Sequence, residues 1–502
     1  MAAPTKEETA LITKAYVFAE KAHEGLKRYS GEPFFIHVFA TAKKLAEFGM
    51  GAKAIAAGLL HDVIEDTKAT REEVESEFGE EILSLVDGVT KLGKLKYRGL
   101  KRHTESLRKL FVAIAKDIRV LIIKLTDRLH NMQTLQHVPL HKQRRIAEET
   151  LEVYAPLAYR LGMRTLNREL EDLAFPYVYP KEYKQVQELL RAQQQSKETQ
   201  HHLEKVRKSL QKELAKEGMR NVKTESRIKG LYSLYKKLLR KNMDMENIHD
   251  ISALRVVVPT VADCYKALGV IHGMWRPLPG RIKDYIAFPK PNGYQSIHTT
   301  IFTGDGGIVE IQIRSEQMHR EAEYGIASHL SYKEGEGNGG KNVITSNLVW
   351  IASLLSYRSW FQSAKEDKPT DTSQGATIPP WLTDLAEAHG DTMEPQEFLE
   401  GLRADFFEHR IFVFTPKGDV VDLPLNSSPI DFAYAIHSDI GDHVAGAKVN
   451  GKLIALDTKL KNGDIVEIQT KNSSHPTTKW LEFAKTEMAK RKIRTALGER
   501  GR

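Results

Sequence analysis

Two histidines and two aspartates, far apart in the sequence, have the chemistry of a metal site. These residues are His37, the adjacent pair His61 and Asp62, and Asp127. Imidazole nitrogens and carboxylate oxygens form a donor set of intermediate hardness, which suits Mn(II), Fe(II) or Zn(II) better than Ca(II). The acids near His61 fall in an apolar helical stretch, where a cation would offset the cost of burying them. We therefore predict a divalent-metal centre; the alternative is a surface His–Asp pair.

Further polar side chains accompany the predicted ligands. Three of them lie one helical turn after a ligand and so share its face of a helix: Glu65, Asp66 and Asn131. Two carboxylates beside a metal-bound water suit hydrolysis, because one can orient or deprotonate the water while the other serves the leaving group. Hydrolysis is therefore the chemistry that we predict for this first site.

A second group of residues combines positive charge, an aromatic ring and carboxylates. The basic residues, the ring and a histidine are Arg227, Lys229, Lys236, Lys237, Arg276, Arg281, Lys283, Lys290, Tyr294 and His298. Positive charge suits phosphates and an exposed ring suits a base, so this set fits a nucleotide. Asp250, just before a predicted strand, and Glu310, on the polar face of another, could share one Mg(II) and support phosphoryl-type transfer.

Simpler interpretations of this second group stay open at this stage. A basic loop can be merely solvated, and Glu310, Gln312 and Arg314 can form an ordinary exposed face of the strand over 308–314. The sequence contains neither GxxxxGK[ST] nor GxGxxG before a helix, so P-loop and Rossmann sites are excluded.

Composition narrows the class of protein. The 502 residues, 41% hydrophobic and 28% charged, fit a multidomain globular chain, and the net charge of +8 suits phosphate-bearing partners without requiring nucleic acid. Cys264 is the only cysteine, which excludes an intramolecular disulfide and a cysteine metal cluster. The sequence has no signal-peptide core and no apolar stretch of bilayer length, so we expect a cytoplasmic protein without a membrane partner.

The elements that must position these residues change in type along the chain, and the predicted class is multidomain α+β. We predict six segments: an all-helical region over 1–185, a helical linker over 186–218, a mixed α/β region over 219–335, a helical or linker segment over 336–405, a small sheet domain over 406–472 and a helical tail over 473–502. Thr70 begins a capping box that starts one helix. The polar helix over 181–217 has a thin apolar stripe, which is typical of a spacer.

Turn and cap signals define the small sheet domain. IFVFT, PKGD and VVDLP predict a hairpin, and SSPIDFAYAIHSDIG predicts a helix with a Ser cap, Pro at its first position and Gly after its end. Asn-Gly pairs at 450–451 and 462–463 predict turns between further strands. A hairpin, a helix and more strands, in that order, predict a ubiquitin-like β-grasp sheet.

Several linked motifs resemble one family. HDVIEDT, DGVTKLGK, IRVLIIKLTDRLHNM, GRIKDYIAFPKPNGYQSIHTT and VEIQIRSEQMH are similar to motifs of the long RelA/SpoT homologue (Rel) family, whose bifunctional members make and hydrolyse the alarmone (p)ppGpp. The resemblance runs from about residue 10 to the end of the small sheet domain. It implies an HD-type hydrolase domain over 1–185, a nucleotidyltransferase-like synthetase domain over 219–335 and a TGS domain over 406–472.

In the hydrolase, the resemblance implies a role for each candidate residue. The implied Mn(II) ligands are His37, His61, Asp62 and Asp127. Glu65 and Asp66 are implied to serve water attack on the 3′-diphosphate, which releases GDP or GTP and pyrophosphate from ppGpp or pppGpp. Arg28 and Asn131 match positions that hold the nucleotide. Tyr29 stands where a basic residue is expected beside Arg28.

In the synthetase, the resemblance implies transfer of pyrophosphate from ATP to the 3′-hydroxyl of GDP or GTP, with release of AMP. Asp250 matches the Mg(II) ligand, and Glu310 matches the acid that assists the metal and activates the hydroxyl. The implied nucleotide contacts are Arg227 and Lys229 for ATP, Tyr294 for stacking on guanine, and Lys283, Lys290 and His298 for phosphates. The stretch 281–284, Arg-Ile-Lys-Asp, resembles the basic signature of bifunctional members.

The third domain implies macromolecular partners. His437 falls in the helix that in this family meets the 3′ end of uncharged tRNA, so tRNA and the ribosome are candidate partners. From its position alone, His437 is instead a histidine at a helix C-terminus, stabilised by the helix dipole. Longer members carry further modules after this domain, which leaves ribosome-coupled control open.

Other functions also stay open. One is a hydrolase whose synthetase half is regulatory, and another is a non-catalytic regulator that binds tRNA or the ribosome. If both sites are active, we expect ligand at one site to disfavour the other, because running both reactions together would waste ATP.

Overall fold

The computed structural model describes most of the chain. The described residues are 4–93, 117–195, 197–228, 230–240, 252–290, 293–304, 307–330, 410–418, 420–461 and 463–498. Lys229, Asp250 and the predicted linker over 336–405 lie outside them, as does Asn462 of the second Asn-Gly turn. The chain divides into two units, residues 1–90 with 119–337 and residues 91–118 with 338–502.

Packed helices form the first region, as predicted. They are α1 (Lys6–Ala22), α2 (Phe35–Glu47), α3 (Ala52–Leu60), α4 (Val63–Asp66), α5 (Arg71–Phe78), α6 (Glu80–Gly93), α7 (Ile118–Gln133), α8 (Leu140–Glu149), α9 (Ala155–Arg160) and α10 (Arg164–Val178), with a 3₁₀ turn at Leu135–His137 and a π turn at Thr150–Tyr154. The capping box at Thr70 is confirmed, because its hydroxyl accepts from the Glu73 N–H and the Glu73 carboxylate accepts from the Thr70 N–H. None of the described helices combines the length and apolarity needed to cross a membrane.

The helix expected to be a spacer over 181–217 packs on both of its neighbours. The structure has two helices here, α11 (Pro180–Gln195) and α12 (Lys197–Lys216). Val186 of α11 is buried in a cluster with Phe175 and Leu234. The buried residues that α12 adds to the core of the sheet region are Val206, Leu210 and Leu214. Both helices therefore pack through their apolar residues, and the helical linker over 186–218 stays a prediction.

A five-stranded sheet forms the mixed region that the sequence predicts. Its strands, in the spatial order β1-β2-β5-β4-β3, are β1 (Lys223–Ile228), β2 (Ser252–Val258), β3 (Lys283–Asp284), β4 (Ile297–Phe302) and β5 (Ile308–Ser315). The helices of this region are α13 (Leu231–Arg240), α14 (Val261–Met274), α15 (Glu316–Tyr324) and α16 (Ala327–Leu330). Strands β2 and β5 are parallel, and the other neighbours are antiparallel.

Both faces of β5 are covered. Its apolar residues Val309, Ile311 and Ile313 are buried in the core, as the alternating pattern predicts. The polar face is buried too, since Gln312 is 6% exposed and Arg314 only 1%. The interpretation of this face as an ordinary exposed one is therefore wrong.

A buried ion-pair network ties this sheet to the helical region. Glu323 of α15 accepts from Arg314 at 3.0 Å and lies 3.1 Å from Arg255 on β2. The same carboxylate accepts a 2.6 Å hydrogen bond from Thr165 on α10. Gly325, with φ of 57°, passes so close to this junction that a Cβ would lie 2.2 Å from the Leu161 carbonyl oxygen.

The second unit contains the small sheet domain. Strands β6 (Arg410–Phe414) and β7 (Val420–Pro424) form the predicted hairpin, and β8 (Val444–Val449) pairs with both β9 (Lys452–Ile454) and β10 (Val466–Thr470). The helices are α17 (Pro429–Ile436), α18 (Ser438–Asp442), α19 (Lys479–Phe483) and α20 (Glu487–Ala496). Asn450 and Gly451 turn between β8 and β9 with φ of 51° and 79°, as a type I′ turn requires.

The helix predicted over SSPIDFAYAIHSDIG is interrupted. It begins as predicted, with Ser428 as the cap and Pro429 at the first position, but it ends at Ile436. His437 adopts an extended backbone and its Nδ1 accepts from the Asp439 N–H, so it begins α18. The prediction of one helix ending before Gly441 is wrong because this side chain caps a new helix.

The C-terminal helices pack on the small sheet domain. Trp480, Ala484 and Ile493 are buried against α17 in one apolar cluster. Asp431 of α17, which has no exposed surface, accepts hydrogen bonds from the backbone N–H groups of Ser428, Lys485 and Thr486. This carboxylate joins the start of α17 to the segment before α20.

Candidate active sites

The four predicted metal ligands converge in the first unit. His37 lies on α2, His61 and Asp62 directly follow α3, and Asp127 lies on α7. His37 Nε2 is 3.4 Å from Asp62 Oδ2 and 3.2 Å from Asp127 Oδ1. His61 Nε2 is 3.2 Å from the same Asp62 oxygen and 3.9 Å from the same Asp127 oxygen. The ligand atoms of His37, His61 and Asp127 all lie within 4.8 Å of one another, as those of one ion would, and Asp62 lies beside both histidines.

Burial and charge show that this group fits a divalent cation. His37, His61 and Asp127 are each at most 3% exposed, and the buried His61 Nε2 has no hydrogen-bond partner. Burial alone would lower the pKa of His61, but the charge of Asp62 raises it to about 9. The carboxylates thus favour positive charge at this position, which a metal ion supplies.

Outer contacts hold the ligands in place. The Nδ1 atoms of His37 and His130 are 2.8 Å apart, and Lys124 Nζ donates to Asp127 Oδ2 at 2.6 Å. Such contacts fix the orientation of ligand side chains. Lys124 and His130 were missed in the sequence analysis, although each lies one turn of α7 from Asp127 and that spacing is a usable signal.

The residues predicted to hold a nucleotide lie beside this group. Arg28 donates to Asn131 Oδ1 at 2.6 Å, and Asn131 Nδ2 donates to Asp127 Oδ1. Tyr29, where a basic residue is expected, is 67% exposed, and Lys142 Nζ is 5.9 Å from its ring centroid. A cation from α8 therefore lies near the position where the sequence lacks one.

Glu65 and Asp66 lie on the short helix α4, immediately after the His61–Asp62 pair. Both side chains are exposed in part, which leaves them accessible to a substrate. Partial burial, together with the charges of Asp62 and Glu65, raises the pKa of Asp66 to about 6. A carboxyl group with that pKa can accept and release a proton near neutral pH.

At the second site, five side chains form one continuous series of hydrogen bonds on the covered face of the sheet. Glu310 Oε1 accepts from Gln312 Nε2 at 2.8 Å and lies 3.2 Å from His298 Nδ1. Tyr294 Oη is 2.8 Å from His298 Nε2, and Arg227 donates to the Gln312 side-chain oxygen at 3.0 Å. Four of these five residues were predicted as site residues; Gln312 was missed because an exposed strand face stayed open as its interpretation.

The ring of Tyr294 is covered, which corrects the prediction of an exposed ring. Tyr294 is only 3% exposed, and the Arg164 guanidinium carbon lies 3.9 Å from its ring centroid. Arg164 begins α10, far from Tyr294 in sequence, so no local pattern could have predicted this contact. Lys290 Nζ lies 5.4 Å from the same centroid.

The basic residues differ in their surroundings. Burial, reinforced by the charges of Arg164 and Lys283, lowers the pKa of Lys290 to about 7. Lys283 is exposed at the sheet edge, paired in register with His298. Lys236 pairs with Glu171 at 2.8 Å, which assigns it to packing against α10.

Comparisons with known proteins match all three regions. The model for the HD domain matches residues 15–164, the model for a region found in RelA / SpoT proteins matches 226–337, and the TGS domain model matches 411–470. The chain is 45% identical over 488 residues to the GTP pyrophosphokinase of Myxococcus xanthus, covering 96% of this chain and 60% of that protein.

Two further relatives have names that describe complementary activities. One is the guanosine-3′,5′-bis(diphosphate) 3′-pyrophosphohydrolase of Aquifex aeolicus, 44% identical over 98% of this chain and 65% of its own. The other is the bifunctional (p)ppGpp synthase/hydrolase RelA of Mycobacterium tuberculosis, 42% identical over 97% of this chain and 62% of its own. The chain spans less than two thirds of the length of each of these relatives. The order of matched regions and the identity over nearly the whole sequence show that the chain belongs to the RelA/SpoT family.

Proposed function

We propose that this chain is a bifunctional alarmone enzyme, a (p)ppGpp 3′-pyrophosphohydrolase and a GTP pyrophosphokinase. One observation carries the proposal: the chain holds two acid-centred groups, one at the His61–Asp62 pair among helices and one at Glu310 on a sheet. Each group lies beside cations suited to phosphates. Relatives named for either activity, or for both, support the same assignment.

In the hydrolase, His37, His61, Asp62 and Asp127 would hold a metal ion, which we propose to be Mn(II) from the mixed nitrogen and oxygen donors. When bound, the ion supplies Lewis acidity for the attack of water on phosphorus. Asp66 accepts the proton of the attacking water, for which its raised pKa suits it. Glu65 is the second acid and serves the 3′-oxygen as its bond to phosphorus breaks.

Arg28 and Asn131 position the substrate in the hydrolase. Their mutual hydrogen bond, and that from Asn131 to Asp127, fix both side chains relative to the ligands. The products are GDP or GTP and pyrophosphate.

In the synthetase, the 3′-hydroxyl oxygen of GDP or GTP attacks the β-phosphorus of ATP and the bond to the α-phosphate oxygen breaks, releasing AMP. Glu310 takes the hydroxyl proton. Mg(II), which Asp250 and Glu310 are proposed to hold, offsets the charge of the phosphates. Arg227 and Lys229 contact ATP, Tyr294 stacks on guanine, and Lys283 and Lys290 contact phosphates. His298, predicted as a phosphate contact, is proposed to act on Glu310 instead, because it lies 3.2 Å from that carboxylate.

Paired substitutions test the two activities. Asp62→Ala should abolish release of pyrophosphate from ppGpp with Mn(II) while leaving formation of pppGpp from ATP and GTP with Mg(II). Glu310→Ala should do the reverse, with nucleotides separated by chromatography. A wild-type chain without the second reaction would favour a hydrolase with a regulatory second half, and loss of both reactions in either variant would contradict two separate sites.

The small sheet domain is proposed to bind the 3′ end of uncharged tRNA, and with it the ribosome, through the surface around His437. This partner is supported by the TGS match over 411–470 and by the exposed position of His437 between α17 and α18. A cytoplasmic location is proposed with it. Electrophoretic mobility of charged and uncharged tRNA with the full chain, and with His437→Ala, tests this assignment.

A further inference from the structure

Gln312 lies between two residues of the proposed synthetase site. It sits on β5 two residues after Glu310, on the same face of the strand, and is opposite His298 of β4 in the sheet register. Its side chain is 6% exposed and makes one hydrogen bond on each side, to Glu310 at 2.8 Å and from Arg227 at 3.0 Å. Both ends of the amide are therefore used inside a covered site.

The chemistry of its partners fixes the orientation of this amide. A guanidinium only donates, so the Gln312 oxygen must face Arg227. The NH₂ group then faces Glu310, and an ionised carboxylate only accepts, so this hydrogen bond also has one allowed direction. A flipped amide would place two donors against Arg227 and an oxygen against a carboxylate.

The other side of Glu310 is fixed in the same way. Because the carboxylate accepts, His298 carries its proton on Nδ1, and its Nε2 accepts from the Tyr294 hydroxyl. Two N–H donors, from different strands, thus converge on the single atom Glu310 Oε1. Glu310 is therefore held from two sides. The series of hydrogen-bonded side chains ends at the predicted ATP contact Arg227 on one side and at the predicted guanine contact Tyr294 on the other.

We propose that Gln312 is a positioning residue of the synthetase: it holds Glu310 in the geometry that accepts the 3′-hydroxyl proton and couples that geometry to Arg227. This inference rests on the proposed synthetase function. Misplacing a catalytic group by about 1 Å costs roughly 100-fold in rate. Since Gln312 acts through Glu310, its loss lowers kcat, and the KM values for ATP and GDP stay nearly unchanged where the replacement still accepts from Arg227.

The experiment compares Gln312→Leu and Gln312→Glu with Gln211→Leu in the full chain. Leu removes both hydrogen bonds, whereas an ionised Glu can still accept from Arg227 but meets Glu310 with a second carboxylate in place of a donor. Gln211 is a matched control because its amide donates to Thr224, away from this group. The hydrolase activity and melting temperature of each variant report folding.

We expect kcat for pyrophosphate transfer to fall about 30- to 300-fold in both Gln312 variants, with KM within threefold in Gln312→Glu, and kcat to stay unchanged in Gln211→Leu. A kcat within threefold of wild type in a folded Gln312→Glu would overturn the inference, as would a rise in KM for ATP at unchanged kcat. If Gln312→Leu is unfolded, the isosteric Gln312→Glu decides alone. A wild-type chain that transfers no pyrophosphate overturns the proposed function itself, and this inference with it.

Discussion

Replacing Arg164 by Ala should tighten the binding of guanine nucleotides to the synthetase. Arg164 lies 3.9 Å above the Tyr294 ring, and that ring is 3% exposed. If guanine stacks on the face of Tyr294 that Arg164 covers, it must displace this guanidinium first. Arg164 therefore acts as an internal competitor, and removing it removes the cost of displacement.

The size of the effect follows from the contact. A cation–π contact that is largely desolvated contributes about 1–2 kcal/mol. An equal gain in binding free energy tightens the apparent Kd about 5- to 30-fold, because a larger fraction of the chain is ready to bind. The positive charge of Arg164 acts in the opposite direction, because it also attracts the phosphates of the nucleotide. We therefore expect the apparent Kd to tighten by about fivefold, the lower end of this range.

The assay is fluorescence anisotropy with a GDP analogue labelled on the ribose 2′-hydroxyl, with the hydrolase disabled by Asp62→Ala. Arg144→Ala is the matched control, because Arg144 is a largely exposed arginine that pairs with Glu148 on its own helix. An affinity equal to that of the control would refute competition at Tyr294. A weaker affinity would assign Arg164 to nucleotide binding.

Three further predictions follow from single features of the structure. Lys290, whose pKa is about 7, is mostly neutral at pH 8, and a bound phosphate should raise this pKa, so that protons are taken up when GDP binds. Calorimetry in buffers of different ionisation enthalpy measures the number of protons taken up, and a value of zero contradicts the prediction. Gly325→Ala places a Cβ 2.2 Å from the Leu161 oxygen at a φ of 57°. We expect the free energy of unfolding from scanning calorimetry to fall by about 2 kcal/mol or more, and an unchanged value would mean that the junction can shift. Asp431→Ala leaves several buried N–H groups without an acceptor and should cost about 3 kcal/mol in denaturant unfolding of the full chain, whereas a cost below about 1 kcal/mol would mean that water replaces the carboxylate.

Residue types and local spacing were sufficient to predict the metal group. His37, His61, Asp62 and Asp127 can be selected as a donor set, and the packing of α2, α3 and α7 then brings them together. The hairpin of β6 and β7 and the turn at Asn450 were predictable for a similar reason, since turn chemistry is local. The alternation along β5 also identified its core face correctly.

Features that depend on tertiary neighbours could not be predicted in this way. A polar strand face looks the same in sequence whether it is exposed or buried, so an exposed position for Gln312 stayed open. The contact of Arg164 with Tyr294 joins residues separated by 130 positions, with no periodic signal. The break at His437 arises because one side chain can end a helix by capping the next, which a helical pattern does not reveal.

The most direct test of the account is to locate bound manganese. Crystals of the full chain grown with Mn(II), measured at the manganese absorption edge, should give one strong anomalous peak within about 2.0–2.3 Å of His37 Nε2, His61 Nε2, Asp62 Oδ2 and Asp127 Oδ1. Absence of a peak at saturating Mn(II), or a peak that His37 and Asp127 do not contact, would contradict the metal centre on which the proposed hydrolase depends.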